Sequence, residues 1–422
     1  MLEIGPIVRA LIHNKGRFWL ITLEIALTLA IVVNCATLML DKYHEMSRPT
    51  GMDEENILVV NSEAIDAALK EEEPLEALIQ EDLRLLRGQQ GVIGATVLEQ
   101  IPLSGGGSST GRKRAGSDLE TVLAPYFIVR DQAVAALGIT IAEGRDLTPE
   151  DFPEPEQQQR QRESSSQADP NQREPEITRY NVLVTRHFAD KLFPEGGALG
   201  GEVQNRDGTA VDTIVGIIER MHCSWPTSEI AEDAVLYPGR PGSDRRVSYF
   251  VRAEPGAVAD LYKDVEEKLL AAHGGRLVEV KTLYEIKRDT YSDSTAMMKL
   301  IAGVIVLLFS VTSLGIVGLT SFSVTQRYRQ IGTRRALGAT RAAILRYFLV
   351  ENWVITALGL AIGLAFSFGL NQLLVTVADA PTLEWGLLGS SLILFWLVGL
   401  MAALLPAMRG MKVSPVIATR TV

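Results

Sequence analysis

Four long apolar runs set the plan of this chain: Phe18 to Leu40, Leu300 to Phe322, about Tyr347 to Val377, and about Gly386 to Ala407. Each can cross a hydrocarbon core of about 30 Å, which takes roughly 20 helical residues. The first run is too long for the apolar stretch of a secretory signal, and no small-residue cleavage site follows it, so it is expected to stay as an anchor. Residues 41–294, between the first and second runs, change character. There the apolar positions recur at short strand-like or helical periods instead of in continuous blocks.

Two similar passages frame that stretch. Asn56 to Val60 alternates like a strand, Pro74 to Arg87 has helical periodicity with a proline at a helix start, and Val92 to Leu98 reads as a second strand. Near the end, Val247 to Val251, Ala257 to Ala272 and Arg276 to Val280 repeat that order. Two β-α-β units of this kind build one split α+β subdomain, expected over 41–100 and 231–294. Residues 101–230 then form an inserted mixed subdomain, with strand-like segments at Pro125 to Arg130, Val182 to Thr185 and Asp212 to Ile218. Within it, Glu150 to Glu176 is rich in Glu, Gln, Ser and Pro and nearly free of large apolar side chains. It cannot offset the entropy of ordering and reads as a disordered loop. The expected fold class is an α-helical membrane domain of four transmembrane helices with a large α+β periplasmic domain.

Charge orients the chain. Residues 41–294 hold 46 of the 51 Asp and Glu and 28 of the 41 Lys and Arg. The basic residues outside that block gather at Arg9, Lys15 and Arg17, between the second and third runs, and at Arg409, Lys412 and Arg420. The excess of positive charge belongs on the cytoplasmic side. Segment 1–17, the loop 323–346 and the tail 408–422 are therefore placed inside, and the acidic block outside.

The loop between the second and third spans carries the strongest signal. Gln326 to Glu351 contains Arg327, Arg329, Arg334, Arg335, Arg341 and Arg346, no lysine, and no acid before Glu351. An all-arginine loop suits directional recognition of a protein surface, because the guanidinium fork makes bidentate contacts. Attraction to anionic lipid is the alternative. After Thr325 a short helix is expected, interrupted by Gly332 and Gly338, with Thr340 capping the helix that runs on into the third span.

Other features add less. Cys35 and Cys223 fall in different parts of the chain, so an intrachain disulfide is not expected. His222-Cys223 has no second pair at ligand spacing and is read as structural. Ser104 to Arg114 resembles a phosphate loop, but Gly111 is followed by Arg-Lys-Arg where Gly-Lys-Ser/Thr is required, so it is read as a flexible basic loop. No other segment offers a Walker sequence. In the spans, Glu24 should face protein or snorkel, with proton relay as the alternative, Glu351 is placed to pair with loop arginines, and Gly359 and Gly363 form a GxxxG step that allows close helix approach, with a dimer contact as the less favoured use of it.

At this point the residues match a family. Arg327 to Arg341, then Ile344-Leu-Arg346 and Phe348 to Glu351, closely resemble the signature of MacB/FtsX-type ABC transporter permeases. The resemblance extends to Asn14-Lys15 and Arg17, Leu137-Gly138, Glu143 to Leu147, Leu192-Phe-Pro194 with Gly200, Ile214 to Ile218, and Pro406 to Arg409 with Pro415. Gln330 departs from the family's usual glutamate, which would turn a salt bridge into a neutral hydrogen bond. The resemblance implies a non-catalytic subunit of the bacterial inner membrane with both termini cytoplasmic. It implies no cofactor on this chain, with ATP and Mg bound by a separate ATPase subunit. It also implies a second permease chain, with contacts to lipid and none to nucleic acid. Arg327, Arg329, Ile331, Gly332, Arg334, Arg335, Gly338, Arg341 and Arg346 would form the ATPase-coupling segment. The implied function is transmission of ATP-driven motion to the outer domain, for export through a periplasmic adaptor and outer-membrane channel. The alternative is a transducer that regulates a periplasmic enzyme or senses a ligand.

Overall fold

A computed structural model describes residues 15–66, 72–117, 120–153, 178–241 and 246–412. The chain divides into two compact units, one of residues 1–47 with 293–422 and one of residues 48–292.

The first unit is helical. It consists of α1 (Lys15–Ser47), and, after the second unit, α7 (Ser292–Gln326), α8 (Tyr328–Ala336), α9 (Arg341–Ala378) and α10 (Trp385–Met411). Of these, α1, α7, α9 and α10 are long and apolar enough to cross a membrane. The helices outlast the apolar runs. In particular α1 continues to Ser47, so residues 41–47 belong to the helix and not to the α+β domain, because nothing in DKYHEMS breaks helical hydrogen bonding. The centre of the bundle joins Ile21, Ile25, Leu29 and Val33 of α1 to Ile316 of α7, Ile355 and Leu360 of α9, and Phe395 and Ala403 of α10. Thr28 and Thr312 share a hydrogen bond of 3.0 Å between α1 and α7. The Asn352 amide of α9 donates to the Gly399 carbonyl of α10 at 2.9 Å.

Gly359 and Gly363 pack inside the chain, against α1. A methyl group at Gly359 would lie 2.9 Å from Ile25, and one at Gly363 would lie 2.9 Å from Leu29 and 3.0 Å from the Ala26 carbonyl. The missing side chains let α9 and α1 approach closely, as glycine pairs do between apolar helices.

The second unit is α+β. Its elements are β1 (Ile57–Ala64), α2 (Glu72–Arg87), β2 (Val92–Leu98), β3 (Ser109–Arg114), β4 (Val122–Val129), α3 (Ala133–Leu137), β5 (Ile141–Gly144), β6 (Thr178–Thr185), α4 (Arg186–Leu192), β7 (Glu202–Gln204), β8 (Ala210–Ile218), β9 (Val235–Pro238), β10 (Arg246–Ala253), α5 (Val258–Ala272), β11 (Arg276–Thr282) and α6 (Leu283–Thr290). The two repeated passages interleave as antiparallel β11-β1-β10-β2. Counting only these four strands, the order is four-one-three-two, that of a split β-α-β unit. Leu78, Ile79 and Leu86 of α2 and Leu261, Val265 and Leu269 of α5 pack on one face against Val60, Val97, Tyr249 and Val251. A buried network ties this layer together: Arg276 donates to both Asp82 oxygens at 2.5 and 3.0 Å, and the Tyr249 hydroxyl donates to Asp82 at 2.6 Å.

The insert extends past its expected end at residue 230. The sheet continues through a single pair, Leu98 opposite Val129, into β4-β3-β7-β8-β6-β9, and β9 returns to pair with β4 in parallel, closing a ring. So β9 belongs with the insert, not with the half expected from residue 231. Its four residues are all buried, and they pair with β4 and β6. The basic stretch before Arg114 is not a loop throughout, since Ser109–Arg114 is strand β3. Arg112 turns inward to the buried Asp212 carboxylate at 3.1 Å and the Tyr237 hydroxyl at 3.0 Å. Burial raises the Asp212 carboxyl above the usual carboxylate range. Most of the Glu150 to Glu176 loop lies outside the described residues. Its start is held: Asp151 accepts from Arg145 at 2.5 and 3.0 Å, from Thr148 and from Asn181, which keeps its carboxyl well below its ordinary range, the Arg145 bond foremost.

His222 and Cys223 are both buried. Neither ring nitrogen of His222 has a partner among the described residues, and burial pushes its pKa down to about 4. Burial pushes the Cys223 thiol up to about 11, so it is unreactive near neutrality.

Candidate functional site

The residues between α7 and α9 form an elbow. Helix α8 starts just after Arg327 and ends where Gly338 takes φ +99°, a conformation that glycine adopts without a side-chain penalty. Gly338 is thus a break, as expected. Gly332 is not: it lies buried within α8, because one glycine weakens a helix by about 1 kcal/mol without stopping it. The Thr340 hydroxyl then accepts from the Ala343 amide at 3.2 Å and caps α9.

The elbow is seated on both neighbouring helices. Val324 at the end of α7, Ile331 of α8, Ile344 and Phe348 of α9 and Ala407 of α10 form one buried apolar cluster. Beside it, Arg327 donates to the Glu351 carboxylate at 2.9 Å and to the Tyr347 hydroxyl at 3.0 Å. The two charged side chains are only 17% and 10% exposed. Arg335 donates to the Met411 carbonyl at 3.2 Å, tying α8 to the end of α10.

The expected coupling residues therefore divide. Arg327, Ile331, Gly332 and Arg335 face the helices and fix the elbow. Arg329, Arg334, Arg341 and Arg346 are exposed, and Arg334 lies 5.3 Å from the centre of the Tyr347 ring, a cation–π distance. Leu337, at the tip next to Gly338, is 83% exposed. The elbow thus presents an apolar tip beside several guanidinium groups on a braced base. The Arg327–Glu351 pair and the apolar cluster join the elbow to α9. Tyr347 escaped sequence reasoning, although its place one turn before Glu351 puts both groups on one helix face.

Glu24 and Glu351, singled out together as polar groups in spans, have different surroundings. Glu351 is buried and paired. Glu24 is half-buried, with its carboxylate against Gly315 of α7.

Comparison with known proteins bears on this elbow directly. The FtsX-like permease C-terminal family matches residues 302–415, which include it whole. The ABC transporter permease YknZ of Bacillus subtilis is 26% identical over 243 residues, 56% of this chain and 61% of that protein. The macrolide export ATP-binding/permease protein MacB of Chromobacterium violaceum is 28% identical over 253 residues, 56% of this chain and 38% of its own length. The matches thus span less than two thirds of these relatives. Among solved structures, the periplasmic region of MacB from Actinobacillus actinomycetemcomitans aligns with TM-score 0.33 and 15% identity, covering 57% of this chain and 94% of that one. Residues 302–415 are an FtsX-like permease domain, and the chain is a homologue of the MacB and YknZ ABC transporter permeases.

Proposed function

We propose that this chain is the membrane subunit of an ABC transporter whose ATPase sits on a separate polypeptide. In this reading ATP and Mg act on that partner, and the elbow 323–346 is its docking surface on the cytoplasmic side. Closure of the ATPase subunits pushes on Leu337, Arg334 and Arg341. The push passes through α8 to α9, and from the helical unit to an α+β domain on the far side of the membrane. The output is export from the periplasm through an adaptor and an outer-membrane channel.

The observation that carries this reading is the exposed arginine-and-leucine tip on a base held by the Arg327–Glu351 pair and the Ile331 cluster. A lipid-binding loop needs charge alone, at about 1 kcal/mol per basic residue near an anionic surface. It does not need a braced base.

The test compares Arg334→Lys with Arg341→Lys, and separately Leu337→Asp, in membranes containing the ATPase. Insertion should stay unchanged in all variants. Capture of the ATPase should fall with the lysine pair, because charge is kept but the guanidinium fork is lost, and it should fall further with Leu337→Asp. Wild-type capture by all variants would return the loop to the lipid surface. The purified chain alone should show no ATP turnover, and hydrolysis that survives removal of copurifying subunits would overturn the separate-ATPase reading.

A further inference from the structure

Strand β11 lies at the end of its sheet, and among the described residues it pairs with β1 alone. The backbone groups of an antiparallel strand turn alternately to one side and the other. The Gly275 carbonyl accepts from the Ile65 amide at 2.9 Å, in step with the β1–β11 register, so Leu277, Glu279 and Lys281 turn their backbone groups toward β1. Those of Val278 and Val280 turn outward and meet no partner among the described residues. The next outward amide, that of Thr282, is closed off by the Glu285 carboxylate at 2.8 Å. Proteins commonly block such edges with a proline, a bulge, a very short strand or an outward lysine. β11 is seven residues long, has no proline and keeps its register throughout. Its one lysine, Lys281, is drawn to Glu279 at 3.0 Å.

The open edge is the floor of a groove. On one face of the sheet, Val278 and Val280 pack with Leu261, Val265 and Leu269 of α5. On the other, Leu283 and Ile286 of α6 pack with Ile57 and Val59. Between the two helices lies a space of about 360 Å³, bounded by Tyr262 and Glu266 of α5, Val278 to Lys281 of β11, and Glu285, Arg288 and Asp289 of α6. Four acids, Glu266, Glu279, Glu285 and Asp289, face two bases, Lys281 and Arg288, which leaves two negative charges in excess. Both bases already have an acid beside them, Glu279 for Lys281 and Asp289 at 3.8 Å for Arg288. Glu266 is exposed and has no partner among the described residues.

We propose that this groove binds an extended, basic segment of a partner protein, which joins the sheet as a further strand beside β11. The outward backbone groups of Val278 and Val280 recur at about 6.6 Å, the two-residue repeat of any strand, so they specify an extended chain. Main-chain hydrogen bonds hold it, and side chains set its identity. Lysine or arginine side chains of the segment meet Glu266 on one wall and Asp289 on the other. A second copy of this chain is a poorer occupant, because its own β11 lies on the floor of the same groove and would bring four further acids against these four. A small cation is poorer too, since it would leave the backbone groups unmet. The proposal concerns the α+β domain and does not depend on how the elbow is used.

The experiment measures binding of labelled peptides to the full chain in neutral detergent by fluorescence anisotropy. The probe is a seven-residue peptide of alternating lysine and valine, capped at both ends. It should bind at least tenfold more tightly than a glutamate–valine counterpart, and at least tenfold more tightly than the same lysine–valine peptide N-methylated at every residue, which keeps its charge but loses its strand donors. Glu266→Lys with Asp289→Lys, both at exposed positions, should weaken binding about tenfold. Asp190→Lys with Asp207→Lys, the same charge change on exposed positions of the insert, should leave it unchanged. Equal binding of the N-methylated peptide would show attraction by charge without an added strand and overturn the proposal. An equal loss with the insert variant would overturn it, and so would no binding by any peptide. A disulfide-linked dimer formed by Glu279→Cys, on a background of Cys35→Ala with Cys223→Ala, that excludes the peptide would give the edge to a second copy and overturn it as well.

Discussion

Removing the Glu351 carboxylate, as in Glu351→Gln, leaves the Arg327 guanidinium in a pocket where it is only 17% exposed, with the Tyr347 hydroxyl as its remaining partner. Breaking a buried pair from one side costs about 3–5 kcal/mol, because an uncompensated charge stays out of water. This pair lies at the end of a span, and both side chains keep some exposure, so about 2–3 kcal/mol is expected. Arg327→Met should cost about the same, since it strands the carboxylate. The double variant removes both charges together and should cost far less than the sum, giving an interaction energy of about 2 kcal/mol. The measurement is a double-mutant cycle by reversible unfolding of the helical unit in mixed micelles, with ATPase capture followed in parallel. Single variants should loosen α8 from α9 and weaken coupling of ATP hydrolysis, and the double variant should restore the fold more than the coupling. Additivity of the two single effects within about 0.5 kcal/mol would show that the ion pair does not brace the elbow.

Three further outcomes follow from the geometry. Gly363→Leu forces a side chain into Leu29 and the Ala26 carbonyl, and overpacking of this kind costs about 1–3 kcal/mol; a thermal-stability assay in detergent should show the loss, and an unchanged midpoint would refute the close α1–α9 contact. Asp82→Asn leaves the fully buried Arg276 with no countercharge, so urea unfolding should show a loss of about 3 kcal/mol, largely recovered by Asp82→Leu with Arg276→Met. His222 is held neutral with its pKa lowered from 6.5 to about 4, so the unfolded chain takes up a proton that the folded chain refuses. Its contribution is therefore complete above about pH 6.5 and is lost progressively as the pH falls toward 4, up to about 3 kcal/mol. His222→Phe should flatten the acid limb of the stability curve, and an identical acid slope in both proteins would exclude the histidine.

The amino-acid sequence by itself determined the four apolar helices, because a bilayer-length run leaves the backbone no way to satisfy its hydrogen bonds except helically. It also determined the two β-α-β passages, whose local periodicities match β1-α2-β2 and β10-α5-β11 within a few residues. The arginine elbow was legible for the same reason, since charge, glycine and the Thr340 cap are local signals. Tertiary structure decided what depends on partners far apart in the chain. It placed β9 in the insert, through pairing with β4 across more than a hundred residues, and it turned Arg112 from an expected loop into a buried partner of Asp212 and Tyr237. It assigned Gly359 and Gly363 to α1, since a glycine step states that some helix can come close without saying which. It also divided the arginines into those that brace and those that face outward. That division follows from which guanidinium groups come within hydrogen-bond distance of Glu351, Tyr347 and Met411 once α7, α9 and α10 have packed, a matter of three-dimensional proximity that no local pattern encodes.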